Sequence, residues 1–323
     1  MSAITSSAPM RVARRHWTDG TSVAAAVLVV MFIVYAFFAS LFSSFTIQAL
    51  SNDTAPLALA AIGETFVVLT GGFDLSVGAV IGLVNVLLAT HLTGHTGNDV
   101  LWVALTLVIA CACGLLNGIL VAYVRLQSII VTIATLFIFS GIALGVLPQP
   151  GGAVPRGFTD ALTGVTVIPR GLIVILLAAV AWLALKRTRL GASMYAIGGD
   201  KEAARMSGIP IERRQLAIYT LAGLFYGLAG IFYTAETGSG DPGTATSFLL
   251  APFIAVVLGG TVFGGGEGSA IGSIIGAWIV SMLIAIIFVL GINTFSTGLV
   301  EGIVLALAVL LNSTVRRWRP RRG

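Results

Sequence analysis

From Ala55 to Thr90 the chain is apolar almost without pause, and no single helix accommodates that length. At a rise of about 1.5 Å per residue, one helix over this stretch would run about 54 Å, far past a bilayer core of about 30 Å. The run must break, and Gly71-Gly72-Phe73-Asp74-Leu75-Ser76 is the place. Gly71 and Gly72 reach backbone angles closed to other residues, and Asp74 or Ser76 can cap the helix that follows. Each flanking piece is then short for a crossing. Short, glycine-interrupted apolar segments are the sequence mark of discontinuous helices around a pathway.

Composition supports a bilayer as the solvent. Hydrophobic residues are 57% of the 323 and charged residues 10%, against about 25% charged in soluble domains. An all-α integral membrane protein is therefore expected, with about ten crossings, some short or broken. The windows are 21–42, 55–70, 76–90, 100–123, 129–147, 170–185, 215–235, 248–263, 268–290 and 296–311. The first follows Arg11, Arg14 and Arg15 like a signal peptide, but it is too long for a signal h-region of about 7–15 residues. It reads as an uncleaved helix.

The cations test this count. With a cytoplasmic N-terminus and ten alternating spans, only Arg156 and Arg170 of the 18 Lys and Arg residues fall outside, a strong positive-inside bias. Both termini are then cytoplasmic. A tail (1–20) precedes a permease domain (21–312) with a long inner loop (186–214), and a basic tail (313–323) closes the chain. That last tail serves as a topology anchor at the anionic leaflet. The net charge of +5 is not arranged as a basic stripe interleaved with aromatics, so nucleic acid is excluded as a partner. Cys111 and Cys113, inside an apolar run, read as small buried hydrophobes.

A carboxylate near the bilayer centre costs about 2.5–3.5 kcal/mol on insertion scales, so Asp74 needs a reason. One is helix capping at the break; the other is lining the pathway or contacting a neighbouring subunit. The two are compatible, because broken helix ends border cavities. The second half has a counterpart in Leu258–Ser269, where Gly259 and Gly260 open a glycine-rich stretch containing Glu267. The halves are thus loosely alike in hydropathy, as an internal repeat would be. Glu64, Asn85, Asn117, Asn293 and Glu301 are the other polar residues read as intramembrane. The asparagines are expected in helix–helix hydrogen bonds, and Glu64 is expected to face protein or water.

The inner loop, Lys186–Arg214, looks folded. Asp200 is placed to cap a helix, with Glu202 in its first turn and Ala203 and Ala204 as helix formers. Arg205 stands towards its C-terminal end, Gly208 closes it and Pro210 forbids continuation. Such a helix spans about two turns and is marginal alone. It needs a surface to pack on, either its own membrane domain or a partner protein.

Four stretches carry a family resemblance: "TGGFDLSVGAVIGL" (Thr70–Leu83), Gly114–Leu144, "LGASMYAIGGDKEAARMSGI" (Leu190–Ile209) and "VVLGGTVFGGGEGSAIGSIIGA" (Val256–Ala277). In this order they resemble the permease subunits of ATP-binding-cassette (ABC) importers for simple sugars, the ribose/xylose/galactose-type family. The resemblance runs from about Ala55 to Asn312. It implies a type II ABC importer-like permease fold with an inverted repeat. Glu202-Ala203-Ala204 with Gly208 is similar to the family's Glu-Ala-Ala-x-x-x-Gly pattern, whose helix fits a cleft on the ATPase subunit. Ala251 and Pro252 depart from the family, many of whose members carry an aspartate there, and this leaves the identity of the sugar open.

The resemblance implies partners: ABC ATPase subunits holding the ATP and Mg, a second permease copy, identical or related, and a periplasmic or lipid-anchored sugar-binding protein. It implies residence in a bacterial inner membrane. No G-x-x-x-x-G-K-[ST], H-E-x-x-H or G-x-S-x-G occurs, so this chain is expected to hold no catalytic residues, metal or cofactor of its own. His16, His91 and His95 are not embedded mid-span. The expected function is translocation of a monosaccharide or related polyol. The alternative is an ion-gradient-driven carrier, for which Glu64, Asp74 and the broken helices would speak.

Overall fold

A computed structural model describes residues 9–38, 43–164, 168–291, 298–300, 302–303 and 306, with side chains from residue 21 onward. Among the described residues the regular structure is helical: α1 (Pro9–Phe38), α2 (Ser44–Leu69), α3 (Val77–His91), α4 (Thr96–Ala122), α5 (Ser128–Val146), α6 (Arg156–Thr163), α7 (Arg170–Lys186), α8 (Arg189–Gly199), α9 (Lys201–Met206), α10 (Ile211–Thr237), α11 (Thr244–Ser247), α12 (Ala251–Leu258) and α13 (Ala270–Val289).

The long helices α2, α3, α5, α7 and α13 carry no strong polar face, so position in the bundle rather than amphipathic pattern decides what each one buries. α2 is buried almost continuously from Leu50 to Leu69, and α3 from Val77 to Val86. α10 lies along α2, α3 and α4 and completes the centre. Its approach to α4 depends on Gly114 and Gly223: a Cβ at Gly114 would stand 2.2 Å from the Tyr219 carbonyl oxygen, and one at Gly223 2.3 Å from that of Ala110. Small residues at such crossings let backbones close on one another where no hydrophobic effect drives association. α5, by contrast, turns Ile130, Phe137, Ile138, Ile142 and Leu144 outward, a surface that only lipid or a partner suits.

Helices stand on the first nine sequence windows, but not all are full crossings. Five are long and apolar enough to span: 21–38, 96–122, 128–146, 211–237 and 270–289. α7 with α8 makes a sixth if a chain bent by 76° is one span. α3, at 15 residues, reaches only about 22 Å. The window 248–263 is corrected outright: it holds the end of α11's turn, the eight-residue α12 and a glycine loop. α12 ends at Gly259, where the next residue, Gly260, takes φ +85° and turns the chain out of the helix; at Gly259 the chain lies flush on α13, and a Cβ would meet the backbone of Gly272 at 2.3 Å. The tenth window, 296–311, is described only at 298–300, 302–303 and 306. Asn293, Glu301 and the basic tail lie outside the described residues.

At the end of α3 away from the first break, the chain is clasped by an antiparallel bridge. Gly151 N–H donates to the Gly240 carbonyl at 2.9 Å, and Gly240 N–H donates back at 2.8 Å. Beside it Asn85, fully buried, donates to Thr234 Oγ1 (3.1 Å) and the Ser239 carbonyl (2.9 Å), and accepts from Asp241 N–H (2.7 Å). This asparagine does join two helices, as the sequence suggests.

Candidate functional site

The first break forms as the glycines require. α2 ends with Gly71 at φ +80° and with Gly72 N–H donating back to the Val67 carbonyl at 3.1 Å, a glycine-dependent helix terminus. The chain then turns through Asp74. Its Oδ1 accepts from Ser76 N–H at 3.0 Å and from Ser76 Oγ at 2.6 Å. Ser76 occupies the N-cap position of α3 but makes no side-chain cap bond. The capping expectation is therefore corrected: Asp74 builds the turn leading into α3 and Ser76's hydroxyl serves Asp74, so neither side chain takes a first-turn amide. Asp-type side chains bond two residues onward in this way to fix a turn.

Asp74 is also tied to Glu64. Asp74 N–H donates to Glu64 Oε1 at 3.2 Å, and Tyr226 Oη of α10 donates to Glu64 Oε2 at 3.0 Å. Asn117 of α4 donates through Nδ2 to Ser76 Oγ at 2.9 Å. Four helices thus meet in one buried polar network, with Glu64 1% and Asp74 2% exposed. Glu64 faces protein rather than lipid. Sequence reasoning missed Tyr226, whose distance along the chain gives no local signal.

The second break folds differently from its counterpart. Ser269 caps α13 by accepting from Ile271 N–H at 3.3 Å. Glu267 is exposed and contributes its carbonyl to Val262 N–H at 3.0 Å. Glu267 is thus not a second Asp74. Gly260, at φ +85°, reverses the chain just after α12.

The two breaks nevertheless touch. Gly266 N–H donates to the Leu69 carbonyl at 2.9 Å, and Phe73 packs on Phe263 and Phe253 with ring centroids 5.8 and 5.2 Å apart. α8 closes on this contact. A Cβ on Gly198 would stand 1.9 Å from the Leu69 oxygen and 2.4 Å from the Gly266 nitrogen. Tyr195 Oη donates to the Gly268 carbonyl at 3.0 Å. α8 itself was unforeseen; its signals are Thr188, which caps it through Gly191 N–H, and the Gly198-Gly199 pair at its end.

α9 follows at once and matches expectation residue by residue. Asp200 Oδ1 accepts from Glu202 N–H and Ala203 N–H, each at 2.9 Å. Gly208 takes φ +80°, and Ile209 N–H returns to the Ala204 carbonyl at 3.1 Å. Of the six residues only Ala204 is buried, against Ile197 and Ile211. Arg205 pairs with Glu202 (3.1 Å) and Glu212 (3.3 Å). The Glu212 carboxyl lies below the usual range, chiefly through its own backbone N–H and then through Arg205. Glu202, Ala203 and Met206 face outward.

A cavity of about 770 Å³ lies between α1, α2 and the α11–α13 segment, with Thr46, Asp53, Ser247 and Ser281 among its polar lining and Tyr35 and Phe248 among its aromatic lining. Most of the wall is apolar, with Phe45, Leu50, Leu57 and Ile284 among its residues. Asp74, Ser76 and Glu64 are not in its wall.

Residues 46–311 match a family described as "Branched-chain amino acid transport system / permease component". The ribose import permease of Escherichia coli K12 is 34% identical over 313 residues, 93% of this chain and 97% of that protein. The ribose import permease of Bacillus subtilis is 37% identical over 268 residues, 81% and 83% of the two chains. An autoinducer 2 import permease of Escherichia coli is 32% identical over 279 residues, 84% and 80%. No solved structure matches.

Proposed function

Because the chain belongs to the permease family described for branched-chain amino acid transport systems, we propose that it is the non-catalytic membrane subunit of an ATP-driven importer for a simple sugar. Relatives named for ribose import, similar along nearly their whole length, support the sugar class. A further relative is named for autoinducer 2 import, so the solute is not narrowed to ribose itself. ATP and Mg belong to separate ATPase subunits, and a binding protein outside delivers the solute. A second permease copy completes the pathway. The chain sits in the inner membrane of a bacterium with both termini cytoplasmic, so α9 and the 186–214 loop face the ATPases.

The observation that carries the mechanism is the seat of Gly198, flush against Leu69 and Gly266. α9 offers its outward face to the ATPase, α8 connects α9 rigidly to the seat, and the seat joins both broken segments. Nucleotide-driven displacement of α9 then reaches both breaks at once. Work is done only to the extent that nucleotide favours one access state over the other.

A carrier driven by an ion gradient is the second reading, favoured by the buried pair Glu64 and Asp74. Proteoliposomes separate the two. Ribose uptake is expected only with ATPase subunits, binding protein and ATP together. Uptake by this chain alone on a proton or sodium gradient, unchanged when the ATPase and ATP are added, would overturn the importer.

A further inference from the structure

A second cavity, of about 320 Å³, opens between α2, α6, α7 and α10. Among the described residues its wall is hydrocarbon throughout, from Leu59 and Leu162 to Ala181 and Phe225, so a sugar finds nothing to bond there. Val174, Leu177, Ala178 and Ala181 stand four, seven, eight and eleven residues after Arg170, a single stripe of α7. Arg170 therefore heads the apolar stripe that lines the groove.

The end beside Arg170 is polar. Arg170 Nη1 donates to the Asp160 carbonyl, two residues before Leu162 in α6, and this bond fixes the guanidinium at that end of the groove. Gln48 and Asn52 of α2 both donate to the Thr163 carbonyl, at 3.1 and 3.0 Å. Arg156 begins α6, and Asp160 is exposed on it, so two guanidiniums stand against one carboxylate. These arginines are also the pair that the positive-inside pattern leaves outside, where a cation needs a cause. Arg170 spends one of its five N–H donors on Asp160, and the fork of a guanidinium matches a phosphate.

A ligand that is hydrocarbon along the groove and anionic at its end is a phospholipid. A helix from a second copy does not fit. Over the roughly 10 Å from Val174 to Ala181, a helix about 10 Å across would fill about 800 Å³, more than twice the space present. We propose that the groove holds one acyl chain of an anionic phospholipid, with its phosphate bound by Arg170 and Arg156 beside it. This goes beyond the transport reading and does not depend on which solute crosses.

The test is native mass spectrometry of the full chain in detergent, with phosphatidylglycerol and phosphatidylethanolamine as probes. Wild type should retain phosphatidylglycerol several-fold more strongly. Arg170→Gln should abolish that preference, and Arg170→Lys, which keeps the charge, should restore it. Ala181→Phe, filling the groove from an exposed position, should reduce retention of both lipids several-fold. Val180→Phe, exposed on the same helix but outside the groove, should match wild type. Equal retention of the two lipids by wild type, or unchanged retention in Ala181→Phe, overturns the proposal. So does a lipid-free dimer that Ala181→Phe dissociates, since the groove then belongs to a second copy. None of these readouts requires transport, so failure here leaves the importer reading standing.

Discussion

Gly266 donates its main-chain N–H to the carbonyl of Leu69 at 2.9 Å, and this one bond makes a single joint of two glycine-rich segments from opposite halves of the chain. With α8 seated on it, the joint leaves no room for a side chain at Gly198. Gly198→Ala forces backbone apart at its centre, a change that costs about 1–3 kcal/mol. The expected result is a lowered unfolding temperature together with loss of ATP-driven uptake. Gly199→Ala, where an added Cβ meets nothing within 4 Å, should behave as wild type in both assays.

Asp200 is the sole side-chain cap of a six-residue helix. Replacing it by Ala removes about 1 kcal/mol of cap stabilisation, enough to fray so short an element. Binding of the ATPase subunits, measured by co-purification, should weaken, and Asp200→Asn should restore it because the amide oxygen accepts the same bonds.

Gly208 stands at φ +80°, where a β-branched side chain costs about 1–2 kcal/mol. Gly208→Val should leave the protein inserted while ATP turnover continues without uptake. Unchanged coupling would count against α9 as the point of transmission.

Much of this region is legible in sequence because its chemistry is local. Asp200, Gly208 and Pro210 mark a helix start and stop within a few residues, and Gly71-Gly72 marks a break in a run too long for one span. The joint itself is not legible, because Leu69 and Gly266 meet only through tertiary packing. Asp74 and Glu267 look alike as acids beside glycines, yet one is buried and the other exposed. Burial is decided by what packs on each, here α4 and α10 for Asp74. Hydropathy equally fails to separate α3, enclosed on all sides, from α5, whose outer face is bare.

Asn85 satisfies two donors' worth of its amide and one acceptor inside the bundle. Asn85→Ala would strand the Asp241 N–H, at about 1–3 kcal/mol while it stays buried, whereas the Ser239 carbonyl keeps its bond from Thr237 Oγ1 at 2.9 Å. Thermal unfolding should register the loss, and Asn85→Asp should recover only the acceptor role.

The Arg205–Glu212 contact has a defined sign with pH. The folded Glu212 carboxyl lies below its ordinary value, so its contribution is present above the unfolded glutamate pKa and fades as pH falls through the lower folded one. Both side chains are partly exposed, and salt should weaken the effect. Acid titration of unfolding for wild type and Arg205→Gln, at low and high salt, checks this; the two curves should converge at the acid end.

The clasp between Gly151 and Gly240 is made of main chain alone. No side chain supplies either bond, yet the latch needs its glycines, since a Cβ on Gly240 would stand 2.7 Å from Leu147 Cδ2 and 2.8 Å from Ala89 Cβ. A third main-chain bond, from Val154 N–H to the Gly238 carbonyl at 3.2 Å, joins the same linkers, so a rearrangement that parts them unzips a short ladder rather than a single contact.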